Sequence, residues 1–300
     1  MKKILYTALV LLAISTVSFA AETINVSHIK GNITIALNPQ RIVLLDYGTL
    51  DTLDSFGVAS KLALPKGNLP SYLAKFRAEE YTDVGGLREF NLETINAFKP
   101  DFIVISNRQQ EYYQELSSIA PVYVVDVLAK DQISETKKNI RLMGSIFDCT
   151  QKAQDAIKDI EKAIIDTKEK AEKSAKKALV VLTNDGKIGA YGSGTRFGIV
   201  HDGFGVIQAD PNIKAGAHGQ LVNYEYIARV NPDIIFVVDR SVAIGVRAKD
   251  TKVLDNALIA KTSAARNNKI VLLDPECWYL SGGGIQSLSR MIAEINNAIE

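Results

Sequence analysis

The sequence predicts an α/β protein made of two similar lobes, and three observations predict it. Short, near-continuous Val/Ile/Leu runs recur along the chain with helix-like stretches between them, the pattern of strands buried on both faces. One segment occurs twice, once in each half, at a constant offset of 132 residues. Between the copies lies a proline-free stretch rich in Ala, Lys and Glu whose apolar positions fall at helical spacing.

The N-terminus precedes the fold. Lys2 and Lys3, an apolar run over residues 4–17 and the triplet Ser18-Phe19-Ala20 have the layout of a secretory signal peptide cut after Ala20. The run is too short and wrongly flanked for a stable membrane span, and no later stretch approaches the roughly 18 apolar residues a span needs. No cysteine lies near the cut, so a lipid-anchored N-terminus is not expected. The mature chain is therefore expected to be soluble outside the cytoplasm. Removing Lys2 and Lys3 leaves 33 basic and 34 acidic residues, net −1. Such a balance gives no global attraction to nucleic acid or to an anionic membrane, so charge-based recognition must come from local placement. Cys149 and Cys277 fall in different regions and read as two unpaired thiols.

The elements follow in order. Residues 23–27 and 32–36 alternate around Lys30-Gly31-Asn32 and form a hairpin. Residues 41–46 make a short buried strand, followed by a helix over 49–56. Residues 101–106 and 122–127 are further buried strands, with helical stretches near 91–99 and 111–119. A long helical region then covers 134–173, where Ala153, Ile157, Ile160, Ile164 and Ile165 fall at helical spacing. If Thr150 caps its second part, the helix from there to Lys173 spans about 35 Å at roughly 1.5 Å per residue. It is either an amphipathic helix packed on one lobe or a stiff rod joining two. Strands resume at 178–183, 187–191, 233–239 and 269–274, and a closing helix fits 285–299.

The duplicated segment runs from Asn91 to Arg108 and again from Asn223 to Arg240, with seven identities in eighteen positions: Asn, Glu, Ile, Pro, Asp, Ile and Arg. Asn is a good helix N-cap, Glu93 and Glu225 in the first turn suit the helix dipole, and Pro ends the helix before an apolar strand. Helix–Pro–strand chemistry accounts for most of the match but not for the arginine that follows each strand. Two related α/β lobes account for it.

Ligands of open α/β sheets bind beyond the carboxyl ends of the strands. Arg108 and Arg240 sit there, one per lobe. Arg196 is a third, in the turn Gly192-Ser-Gly-Thr-Arg196-Phe-Gly198, which suits close ligand approach and an anion. The glycine spacing of this turn is wrong for a dinucleotide fingerprint. Three arginines at strand ends point to an anion-binding cleft. Of the three histidines, His28 sits in the hairpin, His201 near the Gly-rich turn where it could line the cleft, and His218 in a loop of small residues. So dispersed a set makes no preformed zinc or nickel site. Trp278 and Tyr279 follow the last strand on the same side as the arginines. They either plug the core or form a flat wall for an aromatic ligand, with the Tyr279 phenol as a hard oxygen donor. No nucleophile elbow, HExxH or other catalytic constellation occurs, so no enzyme is expected.

Arg108 after its Pro-Asp strand, the Gly-Ser-Gly-Thr-Arg196 turn, Ala-His218-Gly, Val-Val-Asp-Arg240 and Asp-Pro-Glu-Cys-Trp278-Tyr279 occur in this order. Together they resemble the class III (helical-backbone) periplasmic siderophore-binding proteins, in particular the enterochelin-type ferric-catecholate binders of ABC importers, over the whole mature chain. The resemblance implies two Rossmann-like lobes joined by a single long α-helix, with the ligand cleft between them. On that plan residues 1–20 are the signal peptide, 21–148 the N-terminal lobe, 149–174 the connecting helix and 175–300 the C-terminal lobe.

The resemblance also implies roles. Arg108, Arg196 and Arg240 form a basic triad around a trianionic ferric catecholate, with Trp278 and Tyr279 beside it. His218 and Tyr279 fill the two iron positions that a bis-catecholate leaves open. Glu93 and Glu225 dock onto an ABC transporter permease, although the helix dipole also explains them. The expected cargo is Fe³⁺ bound as a siderophore complex, with no intrinsic cofactor, in a monomer with no affinity for nucleic acid. Many such proteins carry a lipid anchor, and this chain lacks the anchor cysteine, so a free periplasmic protein of a double-membraned bacterium is expected. The alternatives are the same fold holding haem, cobalamin or another siderophore class, or a secreted enzyme using the Gly-rich turn.

Overall fold

The computed structural model describes residues 22–128, 130–214, 219–246 and 254–300. The segment expected to be a signal peptide and His218 lie outside the described residues. Strands β1 (Thr23–His28) and β2 (Gly31–Ala36) form the expected antiparallel hairpin. The first lobe is then built on β3 (Arg41–Leu44), β4 (Lys61–Leu64), β5 (Thr82–Asp83), β6 (Phe102–Ser106) and β7 (Val122–Val125). They form one parallel sheet in the order β5-β4-β3-β6-β7. Helices α1 (Tyr47–Phe56), α2 (Leu92–Phe98) and α3 (Tyr113–Ser117) lie among these strands. Strands β4 and β5 lack the long apolar runs of their neighbours, and sequence periodicity misses them.

The helical region of the sequence resolves into α4 (Gln132–Ile146) and α5 (Thr150–Ser174). Asp148 takes a left-handed φ of 51° between them and breaks the run. Cys149 occupies the N-cap position of α5 with no side-chain cap bond, so Thr150 is the first helical residue and not the cap. The two helices cross closely, because a Cβ on Gly144 would lie 2.6 Å from the Ala153 Cβ. Along α5 the buried stripe is Ala153, Ile157, Ile160, Ile164, Thr167 and Ala171. Ile165 stands off this stripe and is 56 % exposed, contrary to its helical spacing.

The second lobe carries β8 (Lys177–Asn184), β9 (Lys187–Tyr191), β10 (Ile207–Gln208), β11 (Gln220–Val222), β12 (Ile234–Asp239) and β13 (Ile270–Leu272). The order is β11-β9-β8-β12-β13, with β10 paired to the start of β8. Strands β8, β12 and β13 are parallel, whereas β9 runs antiparallel to both of its neighbours, β8 and β11, so this sheet is mixed. The cause is local. Only Asp185 and Gly186 connect β8 to β9, both at positive φ, and a two-residue loop of that kind closes a hairpin rather than a crossover. Helices α6 (Ile199–Asp202), α7 (Tyr224–Val230), α8 (Arg240–Ala243), α9 (Ser263–Arg266) and α10 (Ile285–Ile299) complete the lobe.

The duplicated segment is a duplicated structure. Asn91 caps α2 on the Thr94 amide and Asn223 caps α7 on the Tyr226 amide, each at 2.9 Å. Both helices end on a left-handed residue, Lys99 and Asn231. The aspartate after each proline then pins the neighbouring strand. Asp101 accepts from the Arg41 amide at the start of β3, and Asp233 from the Lys177 amide at the start of β8.

One apolar cluster joins the lobes. It holds Leu44 and Val104 of the first sheet, Ile157 and Ile160 of α5, Ile295 of α10, and Val180 and Phe236 of the second sheet. A smaller cluster covers the outer face of each sheet. Asp51 of α1, fully buried, accepts the amides of Gln286 and Ser287 at 2.8 and 2.7 Å. A first-lobe carboxylate thus satisfies the N-terminus of the second lobe's closing helix.

Candidate functional site

The site is assembled from strand ends. Ser106 at the end of β6 turns the chain into a 3₁₀ segment (Asn107–Tyr112) by a capping box with Gln109, and this sets Arg108 at the cleft. Asp239 at the end of β12 caps α8 on the amides of Ser241 and Val242 and so places Arg240 at its first position. The Gly-rich turn is held from within. Asp202 takes the Ser193 hydroxyl at 2.5 Å and the Gly194 amide at 2.8 Å, and the Thr195 hydroxyl donates to the Gly192 carbonyl. A Cβ on Gly198 would lie 2.8 Å from the Gly192 carbonyl oxygen, so the turn requires glycine there. Arg196 projects from it.

All three arginines meet at Tyr279, which stands in a wide helical turn over Glu276–Ser281. The Nη2 atoms of Arg108 and Arg196 each donate to the Tyr279 carbonyl at 2.6 Å. Arg240 donates from Nε to the Tyr279 phenol oxygen at 2.9 Å, and its Nη1 is steadied by the Asn184 side-chain oxygen at 3.0 Å. The Arg196 guanidinium also lies 4.2 Å from the centre of the Tyr279 ring. Arg108 and Arg196 belong to different lobes and donate to the same carbonyl oxygen.

The electrostatics follow from this crowding. Burial first, then the neighbouring Arg196 charge, pushes Arg108 down to about 10, and Asp46 partly offsets the shift. Arg196 is likewise held below its ordinary value, chiefly by burial. Burial alone would raise the Tyr279 phenol, but Arg196 and Arg240 outweigh it and the net shift is downward. Asp46 is raised by burial, although it caps α1 on the Thr49 amide at 2.8 Å.

Arg108, Arg196, Trp278 and Tyr279 line one cavity of about 840 Å³, open mouth included, together with Asp46 and Gln132. Arg240 is not among its lining residues and reaches it through the Tyr279 phenol. Trp278 is 3 % exposed, packs in the joint core and donates its indole N–H to Glu294 at 2.7 Å. It is a core plug with one edge on the cavity. His201 does not line the cavity; its Nδ1 faces the Val206 carbonyl at 2.8 Å, and burial lowers its pKa. His28 packs against Tyr113 and Tyr123, away from the cleft. Glu93 and Glu225 are exposed in the first turns of α2 and α7 and join none of the ion pairs among the described residues. Both cysteines are free.

Sequence patterns miss three residues of the site. Asn184 and Gln132 are polar residues whose partners lie far along the chain. Asp46 lines the cavity, while its own hydrogen bonds are local, to Thr49. Only the Asp46-x-x-Thr49 spacing carries a readable signal, that of a helix cap.

A family model described as periplasmic binding protein matches residues 42–277. The petrobactin-binding protein YclQ of Bacillus subtilis is 43% identical over 282 residues, covering 93% of this chain and 89% of that protein. Its crystal structure matches with a TM-score of 0.90 at 42% identity, covering 93% of this chain and 99% of the other. The ferric-anguibactin-binding protein FatB of Vibrio anguillarum is 31% identical over 276 residues, 90% of this chain and 85% of that one. The crystal structure of the periplasmic catecholate-siderophore binding protein VctP of Vibrio cholerae matches with a TM-score of 0.86 at 31% identity, over 92% and 100% of the two chains.

Proposed function

Because the chain belongs to the periplasmic binding protein family, we propose that it captures a ferric catecholate siderophore and hands it to the permease of an ABC importer for iron uptake. The observation that carries this reading is the convergence of three guanidinium groups on Tyr279 across the cleft. A ferric tris-catecholate of the enterobactin type is trianionic, and three arginines balance it. Arg108 and Arg196 exchange the Tyr279 carbonyl for catecholate oxygens, which are stronger acceptors because they carry charge. The flat guanidinium faces also stack on catechol rings.

A tetradentate bis-catecholate leaves two octahedral positions on Fe³⁺. Tyr279 fills one as phenolate, and the two arginines that lower its pKa reduce the cost of losing the proton. His218 fills the other. The protein performs no turnover; it binds, carries and releases. It is exported by the segment that ends at Ala20 and works free in the periplasm. Exposed Glu93 and Glu225, one per lobe at matching positions, present a pair of carboxylates to cationic residues of the permease.

The test is equilibrium titration of the purified mature chain with ferric bis- and tris-catecholates, haem, cobalamin and a ferric hydroxamate. Intrinsic fluorescence and the charge-transfer band are followed, with Tyr279→Phe alongside. The reading expects tight binding of the catecholates only, and a band shift with the bis-catecholate that Tyr279→Phe abolishes. Preference for haem, cobalamin or hydroxamate would overturn the ligand class. Glu93→Ala with Glu225→Ala should leave these affinities unchanged while stopping siderophore-dependent growth.

A further inference from the structure

We propose that the ligand cleft continues past Gln132 into a second compartment, which takes the uncharged linking arm of an elongated siderophore, with Gln132 as the latch between the two. This rests on the ferric-siderophore reading above. A second cavity, of about 1370 Å³ with its open side included, lies between the start of α4, the middle of α5 and the Gly-rich turn. Gln132 and Ile199 line both this cavity and the arginine cavity, so the two adjoin along one short wall.

That wall includes a single carboxamide. Gln132 stands on the first turn of α4, and its Nε2 donates across the cleft to the carbonyls of Thr195 and Arg196 at 3.2 and 2.8 Å. These are neutral hydrogen bonds to main-chain oxygens, each worth about 1 kcal/mol net. An amide N–H of a ligand offers the same oxygens an equivalent donor, so the latch opens without a buried acceptor being left unpaired.

The chemistry of the second compartment differs from that of the first. Its lining charges cancel: Lys130, Lys137 and Lys168 stand against Asp131, Glu161 and Asp202. Lys137 and Glu161 are already paired at 2.8 Å, and Asp202 is committed to the Gly-rich turn. The anionic iron centre therefore stays with the arginines, and what remains for this space is neutral. Ile133, Ile164 and Ile165 supply apolar surface for it. Ile165 stands off the buried stripe of α5, is 56 % exposed and lines this space, so its apolar surface is available to an occupant. A linking arm of aliphatic segments and amides covers it.

Two ferric bis-catecholate complexes test this, one with a short alkyl linker and one with a long alkyl–amide linker, titrated against the wild-type chain, Ile165→Trp and Ile165→Arg. Ile165 is exposed and does not line the arginine cavity, so both variants should keep the wild-type melting temperature and the wild-type affinity for the short-linked complex. The long-linked complex should lose about tenfold in affinity in both, and Gln132→Ala should speed its association. Equal affinities for the long-linked complex in wild type and variants would overturn the proposal, as would equal losses for both complexes. Failure of the wild type to bind either complex would instead remove the catecholate reading, and this inference with it.

Discussion

Tyr279 presents two oxygens to three arginines. Its carbonyl takes Arg108 and Arg196, and its phenol takes Arg240. The phenol therefore sits below its ordinary value although burial pushes the other way. The shift should be measurable as the tyrosinate absorbance of the wild type minus that of Tyr279→Phe across an alkaline titration. The account expects Tyr279 to ionise below the usual tyrosine range near about 10. Arg240→Gln removes one stabilising charge and its hydrogen bond to the phenolate, so ionisation should move to higher pH. An unmoved titration in that variant would show that Arg240 does not tune the phenol. At this scale the sequence is informative about Arg108 and Arg240, because a strand-end position in a duplicated unit is a local pattern, and about Arg196 through its Gly-rich turn. It is silent about Asn184 and Gln132, whose relation to the site exists only once distant segments are brought together.

Helix α5 and its neighbour α4 show where helical spacing suffices and where it does not. The stripe from Ala153 to Ile164 is buried as periodicity demands, but Ile165 belongs to the other face. Adjacent positions can both belong to a wide apolar stripe, but the one buried on α5 is narrow, and Ile165, about 100° round from Ile164, falls beyond its edge. The helix break at Asp148 and the close crossing at Gly144 are tertiary facts without a periodic signal. The crossing gives a direct prediction. Gly144→Ala adds up to about 1 kcal/mol of helix propensity, yet its Cβ would meet the Ala153 Cβ at 2.6 Å, and neither carbon can rotate away. Overpacking of this kind costs about 1–3 kcal/mol, so the variant should be less stable than wild type by denaturant unfolding. Adding Ala153→Gly removes the clash and should recover part of the loss. If Gly144→Ala proves stabilising, the helices do not cross as described. The β8–β9 hairpin makes a similar point: both strands are legible as apolar runs, but the mixed sheet is decided by the two-residue Asp185-Gly186 loop between them.

At the scale of the molecule, one core cluster runs from the first sheet through α5 and α10 to the second sheet, and Asp51 stitches the lobes again at the N-terminus of α10. Lobes that share a core should unfold together. Calorimetry should give one transition whose calorimetric and van't Hoff enthalpies agree, and saturating ligand should raise that single transition as a whole. Two separated transitions would mean that the lobes are independent. The two-lobe plan was legible because the Asn91–Arg108 unit recurs at Asn223–Arg240 with its caps, its proline and its strand-pinning aspartate intact. The joint core was not, because burial on α5 looks the same in sequence whether the helix packs on one lobe or between two. The central claim is that this cleft recognises a trianionic ferric complex through its arginine triad. The most direct measurement is a fluorescence-quenching titration with a ferric tris-catecholate of the wild-type chain and of the variant carrying Arg108→Gln, Arg196→Gln and Arg240→Gln, at low and high salt. The account predicts tight, salt-weakened binding by the wild type and a loss of at least about 1000-fold in the triple variant, from three charge-assisted contacts of about 1.5–3 kcal/mol each. Wild-type affinity retained in a folded triple variant, or no binding by the wild type, would contradict it.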